Sequence, residues 1–155
     1  MAIEIEHKYL VKTEPWKKIV PHQSVTIKQA YLLTDPDKTI RIRTKGEQGF
    51  LTIKGKTVGS ARLEFEYEIP IAEANELISH FSSGIIVKTR HLVVDNGHTW
   101  EVDEFKDQNE GLMVAEIELT SESEYYSVPE WVGENVTADR RYANSNLSLH
   151  PFTTW

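Results

Sequence analysis

Apolar and charged residues alternate with period two through most of this chain, in short segments punctuated by Gly, Asn, Asp and Pro. That pattern predicts strands with one apolar and one polar face, joined by tight turns. Eight strands are expected, over residues 3–11, 25–33, 38–45, 50–56, 60–69, 85–95, 98–106 and 112–119. Three stretches read as helical. Glu14-Pro15-Trp16-Lys17-Lys18 follows a capping Thr13 and carries proline in its first turn, and Ile71, Ala74, Leu77, Ile78 and Phe81 recur at helical spacing. Ser121-x-x-Glu124 matches a capping box and predicts a short third helix before Pro129. The order strand, helix, three strands occurs twice, without a residue-level repeat, and no linker divides the chain, so one domain over 1–155 is expected.

Turn centres set which residues oppose one another, and directly paired residues in antiparallel strands project from the same face. Asn96-Gly97 suits a type I′ hairpin and places Arg90 opposite Asp103 and Leu92 opposite Glu101. A loop centred between Glu47 and Gln48 sets Arg41 opposite Lys54, and one over Thr57-Val58-Gly59 sets Lys54 opposite Arg62. Centring the first hairpin on Pro36 brings Tyr31 opposite Arg41. The loop 108–111 sets Asp103 opposite Glu116 and Glu101 opposite Glu118. The expected face therefore carries a row Tyr31, Arg41, Lys54, Arg62 beside a carboxylate block, with Glu4, Glu6 and Lys8 on one parity of the first strand.

Composition bounds the rest. The chain has 155 residues, 24 acidic against 17 basic, for a net charge of −7, with 39% hydrophobic residues and no cysteine. It is too apolar for disorder and has no apolar run fit to span a bilayer. Disulfides, thiolate nucleophiles and sulfur-ligated zinc are excluded, and a start without a basic or apolar leader makes a cytoplasmic location the expectation. The net charge argues against polyanion partners, but the sorting argues the other way. Like charges directly opposite cost about 0.2–1 kcal/mol each, so a row of cations implies a bound anion and a carboxylate cluster implies divalent cations, Mg²⁺ or Mn²⁺ in the absence of softer ligands. Gly49-x₅-Gly55-Lys56-Thr57 is not a P-loop, since it has one residue too many and lies in a strand pattern. His7, His22, His80, His91, His98 and His150 show no metal-ligand spacing, and the four tryptophans are scattered as packing residues are.

Glu4-Ile5-Glu6-His7-Lys8 resembles the ExExK signature of the CYTH superfamily, the triphosphate tunnel metalloenzymes. The resemblance continues in order through Gln29-Ala30-Tyr31-Leu32, Arg41-Ile42-Arg43, Thr52-Ile53-Lys54-Gly55, Arg62-Leu63-Glu64-Phe65-Glu66, Lys88-Thr89-Arg90, Glu101-Val102-Asp103, Glu116-Ile117-Glu118 and the run from Val136 to Asn144. It implies a mainly β fold, an antiparallel eight-stranded barrel enclosing a charged tunnel with a few helices outside, and hydrolysis of triphosphate substrates with Mg²⁺ or Mn²⁺. By motif, Glu4, Glu6, Asp103, Glu116 and Glu118 are expected on the metal side. Lys8, Arg41, Arg43, Lys54, Arg62, Lys88 and Arg90 are expected on phosphate, with Glu64 and Glu101 as further lumen residues. Tyr31 stands where similar small members place a catalytic base, with Lys8 beside it in the catalytic group. Inorganic tripolyphosphate is the expected substrate. Thiamine triphosphatase and class IV adenylate cyclase activities belong to the same resemblance, and a polyphosphate-binding module without turnover is the reading from another class. The expected partner is a small polyanion rather than nucleic acid or membrane, with a homodimer admitted. The tail 143–155 leaves an open and a plugged tunnel equally allowed.

Overall fold

In the computed structural model, which describes residues 2–82 and 84–155, eight antiparallel strands close into a barrel. They are β1 (Ile3–Val11), β2 (Gln23–Asp35), β3 (Lys38–Lys45), β4 (Gln48–Gly55), β5 (Ala61–Ile69), β6 (Ile85–Asp95), β7 (His98–Phe105) and β8 (Met113–Leu119). The order around the wall is β5-β4-β3-β2-β6-β7-β8-β1, and β1 returns to β5 through Ile3↔Leu63, Glu4↔Arg62 and Ile5↔Ala61. A short strand β9 (Val132–Asn135) adds to the far end of β1. Closure removes sheet edges and gives every alternate residue a lumen position.

The outward apolar positions are covered by two separate packings. Helix α2 (Ile71–Phe81) lays Ala74 and Ile78 over Ala30 and Ile42. Gly49 permits that approach, because a Cβ there would meet the Ala74 Cβ at 2.7 Å. On the opposite wall Trp100 and Trp131 meet edge to face at 5.8 Å among Tyr9, Val102, Ala115 and Ile117, with Trp16 of the four-residue helix α1 (Thr13–Trp16) packed alongside. Several histidines serve this scaffold: His7 bonds Tyr126 at 2.6 Å and His98 bonds Glu124 at 2.7 Å.

Registers differ from expectation in an instructive way. The Asn96-Gly97 hairpin pairs Arg90 with Asp103 and Leu92 with Glu101, as its type I′ chemistry dictates, and both turn residues have positive φ. Three other hairpins are shifted by two residues. The β3–β4 turn centres on Gly46-Glu47, with Gly46 at φ +58°, so Arg41 faces Thr52 and Lys54 faces Thr39. The β4–β5 loop is longer than three residues, so Lys54 faces Glu64 and Arg62 faces Glu4 across the barrel seam. The β7–β8 connection pairs Glu101 with Glu116 and Asp103 with Val114. A two-residue slip preserves parity, so every charge stays on the lumen side, but the expected row Arg41, Lys54, Arg62 does not form. Tyr31 does face Arg41, by a compensation: the turn centres half a residue beyond Pro36, and a bulge between Tyr31 and Leu33 restores the pairing.

The helix expected from Ser121 is absent. Glu124 turns its carboxylate back onto the Thr120 amide and hydroxyl, both at 2.6 Å, and the five residues before Pro129 are too few to repay helix nucleation. The third helix is instead α3 (Asn144–Leu149), which enters one end of the barrel. Its Leu147 is fully buried among Tyr31, Ile86, Phe105, Leu112 and Val114.

Candidate active site

The lumen holds a cavity of about 200 Å³ whose walls are almost wholly charged. Glu4, Glu6 and Lys8 come from β1, Arg41 and Arg43 from β3, and Lys54 from β4. Arg62 and Glu64 come from β5, Lys88 and Arg90 from β6, Glu101 from β7, and Glu116 and Glu118 from β8. Tyr31 of β2 joins them. A second cavity of about 130 Å³ shares Glu4, Glu6, Lys8 and Arg62 and continues the wet space toward the β2–β3 and β4–β5 turns, past Thr34, Thr57 and Arg140. At the other end, the apolar seat of Leu147 forms a floor. The tunnel is therefore plugged by α3.

Two electrostatic halves emerge, although neither is a simple row. On the cation side, Lys54 bridges Glu4 at 3.2 Å and Glu64 at 3.1 Å, and Arg41 bridges Glu66 at 3.3 Å. Arg90 grips Asp103 through Nε at 2.8 Å and Nη2 at 2.9 Å and reaches Glu101 at 3.0 Å, while Lys88 donates to Asp103 at 2.7 Å. Despite full burial, these partners hold the Asp103 carboxyl well below the usual range. Asp103 does not line the cavity, and both its oxygens are engaged. The expected placement with metal-facing carboxylates thus fails for this residue, because the two-residue register shift sets it against Val114 instead of Glu116.

The carboxylate side is under-compensated. Glu6 faces Glu118 and Glu101 faces Glu116 across strand pairs. Burial, then the charges of Glu116 and Glu4, push Glu6 up to about 8, and burial with Glu4, Glu101 and Glu64 raises Glu118. Glu101 and Glu116 are better met: Arg90 reaches Glu101 at 3.0 Å, and Lys8, 3.8 Å from Glu116, with Arg90 and Lys88 holds the Glu116 carboxyl down to about 2 against its burial. Among the described residues no three His, Cys, Asp or Glu side chains form a ready-made metal cage. Mg²⁺ does not require one, since it commonly takes one or two carboxylates and completes its shell with waters and substrate phosphate. Glu6 and Glu118, hard oxygen donors crowded by neighbouring carboxylates, with Glu116 beside them, fit that mode of binding.

Cationic crowding is the mirror image. Burial, then Arg41 and Arg90, lower Arg43 to about 9. The Nε of Arg41 is buried with no hydrogen-bond partner among the described residues, an unmet donor of the kind that costs about 1–3 kcal/mol until something accepts from it.

Several cavity residues escaped the sequence reading. Thr39, Lys45 and Glu66 share the parity of neighbours that were identified, so the strand alternation already contained them. Asn144 ends the 136–144 run of the resemblance without a role attached to it, and Ser145 has no local signal; both arrive with the plug. Asn144 Oδ1 accepts from Lys88 Nζ at 3.0 Å and from Gln29 Nε2 at 3.2 Å. The same Gln29 accepts from Arg43 Nε at 3.1 Å and points its amide at the Tyr31 hydroxyl at 3.4 Å.

A closed barrel of eight antiparallel strands with a lumen of opposed cations and carboxylates defines a tunnel-barrel protein. The model of the CYTH domain matches residues 2–151, and the chain belongs to that family. It is 44% identical over 153 residues to the inorganic triphosphatase of Acetivibrio thermocellus, covering 98% of this chain and 97% of that one. To the inorganic triphosphatase of Nitrosomonas europaea it is 34% identical over 150 residues, covering 94% and 97%. The crystal structure of the inorganic triphosphatase NE1496 superposes with a TM-score of 0.68 at 33% identity, covering 96% of each chain.

Proposed function

We propose that this chain is a Mg²⁺- or Mn²⁺-dependent triphosphatase acting on inorganic tripolyphosphate. The observation that carries the reading is the meeting, within one cavity of about 200 Å³, of the unpartnered Arg41 Nε and the crowded Arg43 guanidinium with the crowded carboxyl groups of Glu6 and Glu118. A metal-chelated polyphosphate answers both at once. The relatives named inorganic triphosphatase, at 44% and 34% identity over nearly the whole chain, point to the same substrate. Among the described residues Tyr31 is the only aromatic ring in the cavity lining, which offers little stacking surface for a nucleobase or a thiazolium. This favours an inorganic chain over ATP or thiamine triphosphate.

Glu6, Glu116 and Glu118 are the residues to hold the ion, with Glu4 and Glu101 adjoining, and the ion supplies charge neutralisation at the phosphate oxygens. Arg41, Arg43, Lys54 and Arg62 fix the phosphate chain along the tunnel, and Lys88 and Arg90, set by Asp103, hold the phosphoryl group nearest the floor. Lys8, between the two halves, stabilises charge on the leaving phosphate. Tyr31, at the floor beside Arg41, orients the attacking water; to act as its base it must first give its own hydroxyl proton to solvent, and the phenolate oxygen then takes up the water's proton. Glu64 and Glu66 keep Lys54 and Arg41 in place. Among the described residues no helix is long and apolar enough to cross a membrane. A cytoplasmic location belongs to the same proposal and is supported by the lack of cysteine.

The deciding experiment measures phosphate release from tripolyphosphate, pyrophosphate, ATP and thiamine triphosphate, with Mg²⁺, Mn²⁺ or chelator, and cyclic AMP formation from ATP. Tripolyphosphate turnover that vanishes with chelator is expected. Undiminished turnover in chelator excludes the metal role, cyclic AMP formation makes the chain a cyclase, and tight binding without phosphate release makes it a binding module.

A further inference from the structure

Four of the lumen cations have a carboxylate directly opposite on the neighbouring strand. Lys8 faces Glu116, Lys54 faces Glu64, Arg62 faces Glu4 and Arg90 faces Asp103, and each forms an ion pair with that residue. Arg41 and Lys88 reach acids on a diagonal, Glu66 and Asp103. Arg43 breaks the pattern. Its register partner on β2 is Gln29, a fully buried amide whose Oε1 accepts from Arg43 Nε at 3.1 Å. Among the described residues Arg43 forms no ion pair with an acidic side chain. The amide has one orientation open to it. Arg43 Nε only donates, which turns Oε1 toward it and Nε2 toward Asn144 Oδ1 at 3.2 Å, and that oxygen is fixed in turn by Lys88 Nζ, another group that only donates, at 3.0 Å.

We propose that Gln29 is a positioning residue that holds Arg43 in the lumen without cancelling its charge, so that the polyphosphate is the counter-ion this guanidinium lacks. The inference rests on the reading of the tunnel as a tripolyphosphate site and deepens it. A neutral acceptor gives Arg43 the fixed geometry that carboxylates give its neighbours, and withholds the opposing charge. The guanidinium is left among cations, with burial, then Arg41 and Arg90, lowering it to about 9, and a desolvated charge in that position is unfavourable until an anion meets it. A glutamate at position 29 would keep the hydrogen bond and neutralise the cation. The choice of amide over acid therefore matters for charge, not for shape.

Gln29→Met and Gln29→Glu both keep the length of the side chain and both remove the donor to Asn144, so the difference between them isolates the charge at Arg43. If Gln29 were only a structural acceptor, Gln29→Glu, which still accepts from Arg43, would lie closer to the wild type than Gln29→Met. The expected order is the reverse. Gln29→Glu should raise KM for tripolyphosphate by about tenfold or more, the scale of one charge-assisted hydrogen bond, with kcat changed less, and Gln29→Met should raise KM less than Gln29→Glu does. Calorimetric binding of tripolyphosphate in chelator should give the same order of affinities. A wild type that binds tripolyphosphate but releases no phosphate removes the triphosphatase reading and leaves that order to decide the role of Gln29. Intact wild-type turnover with Gln29→Glu binding as tightly as Gln29→Met, or more tightly, overturns the role of Gln29 alone, and a wild type that binds no tripolyphosphate overturns both. If Gln29→Glu fails to fold, butanedione modification of the unaltered chain, mapped by mass spectrometry, takes its place. Arg43 should react faster than Arg90, which Asp103 grips, and tripolyphosphate should protect it; equal rates or no protection overturn the proposal.

Discussion

Asn144, the first residue of α3, accepts a hydrogen bond at 3.0 Å from Lys88, a cation whose side chain is almost completely buried in the barrel wall. The plug is therefore part of the polar network and not only a hydrophobic stopper. Through Gln29 the same amide oxygen reaches Arg43 and Tyr31. Asn144→Ala removes an acceptor from a charged donor, an interaction worth about 1.5–3 kcal/mol. The expected result is a tenfold to hundredfold loss in kcat/KM for tripolyphosphate, roughly what that energy converts to, with the barrel still folded. Steady-state kinetics alongside a thermal melt checks it, and an unchanged kcat/KM would show that Lys88 is set by Asp103 alone.

Removing Asp103 and removing Glu116 should fail in different ways. Asp103 is fully buried and engages both Lys88 and Arg90, so Asp103→Asn leaves two buried cations short of a counter-charge. Breaking a buried pair costs about 3–5 kcal/mol. Asp103→Asn should therefore lower the urea midpoint strongly, with or without metal. Glu116→Ala and Glu118→Ala should leave the fold intact and abolish metal-dependent turnover. Preserved rates in both glutamate variants would falsify the acidic side as the ion site.

The metal-free protein should lose stability with rising pH. Glu6 is raised from the ordinary carboxylate range to about 8 by burial and by Glu116 and Glu4. The folded state then holds a proton that the unfolded chain has released. The contribution is full below about pH 4.5, the unfolded value, and is lost as pH climbs through 8. Adding Mg²⁺ replaces that proton, so binding at pH 7 should release about one proton per ion. Calorimetry in buffers of different ionisation enthalpy reads this directly. No dependence on buffer would mean that the ion does not displace the Glu6 proton.

Strand alternation carried most of the lumen because parity is robust: three of the hairpins slipped by two residues, and none exchanged its faces. Register was less legible. It depends on loop length, and the Thr57-Val58-Gly59 loop and the 108–111 loop contain no dipeptide as decisive as Asn96-Gly97. That is why the expected cation row dissolved into Lys54–Glu64 and Arg62–Glu4 pairs, and why Asp103 moved from the metal side to the cation side. The plug was invisible for a different reason. A six-residue helix with one buried leucine has no periodicity to detect, and Leu147 finds its place only against residues from β2, β6 and β8.

Tyr31 combines a register position beside Arg41 with a seat on the apolar floor that Leu147 completes. Its hydroxyl accepts weakly from Gln29 Nε2 at 3.4 Å, and the residue lines the cavity. If that oxygen, having first released its own proton, takes one from water during the reaction, Tyr31→Phe should lower kcat by about a hundredfold or more, the span of general-base catalysis, with little change in KM. The ring keeps its packing against the floor, so thermal stability should stay within about 1 kcal/mol, allowing for the one hydrogen bond lost. An unchanged kcat in a folded Tyr31→Phe would reduce the residue to wall packing and shift proton transfer to a carboxylate. A raised KM at constant kcat would make it a contact to bound phosphate instead.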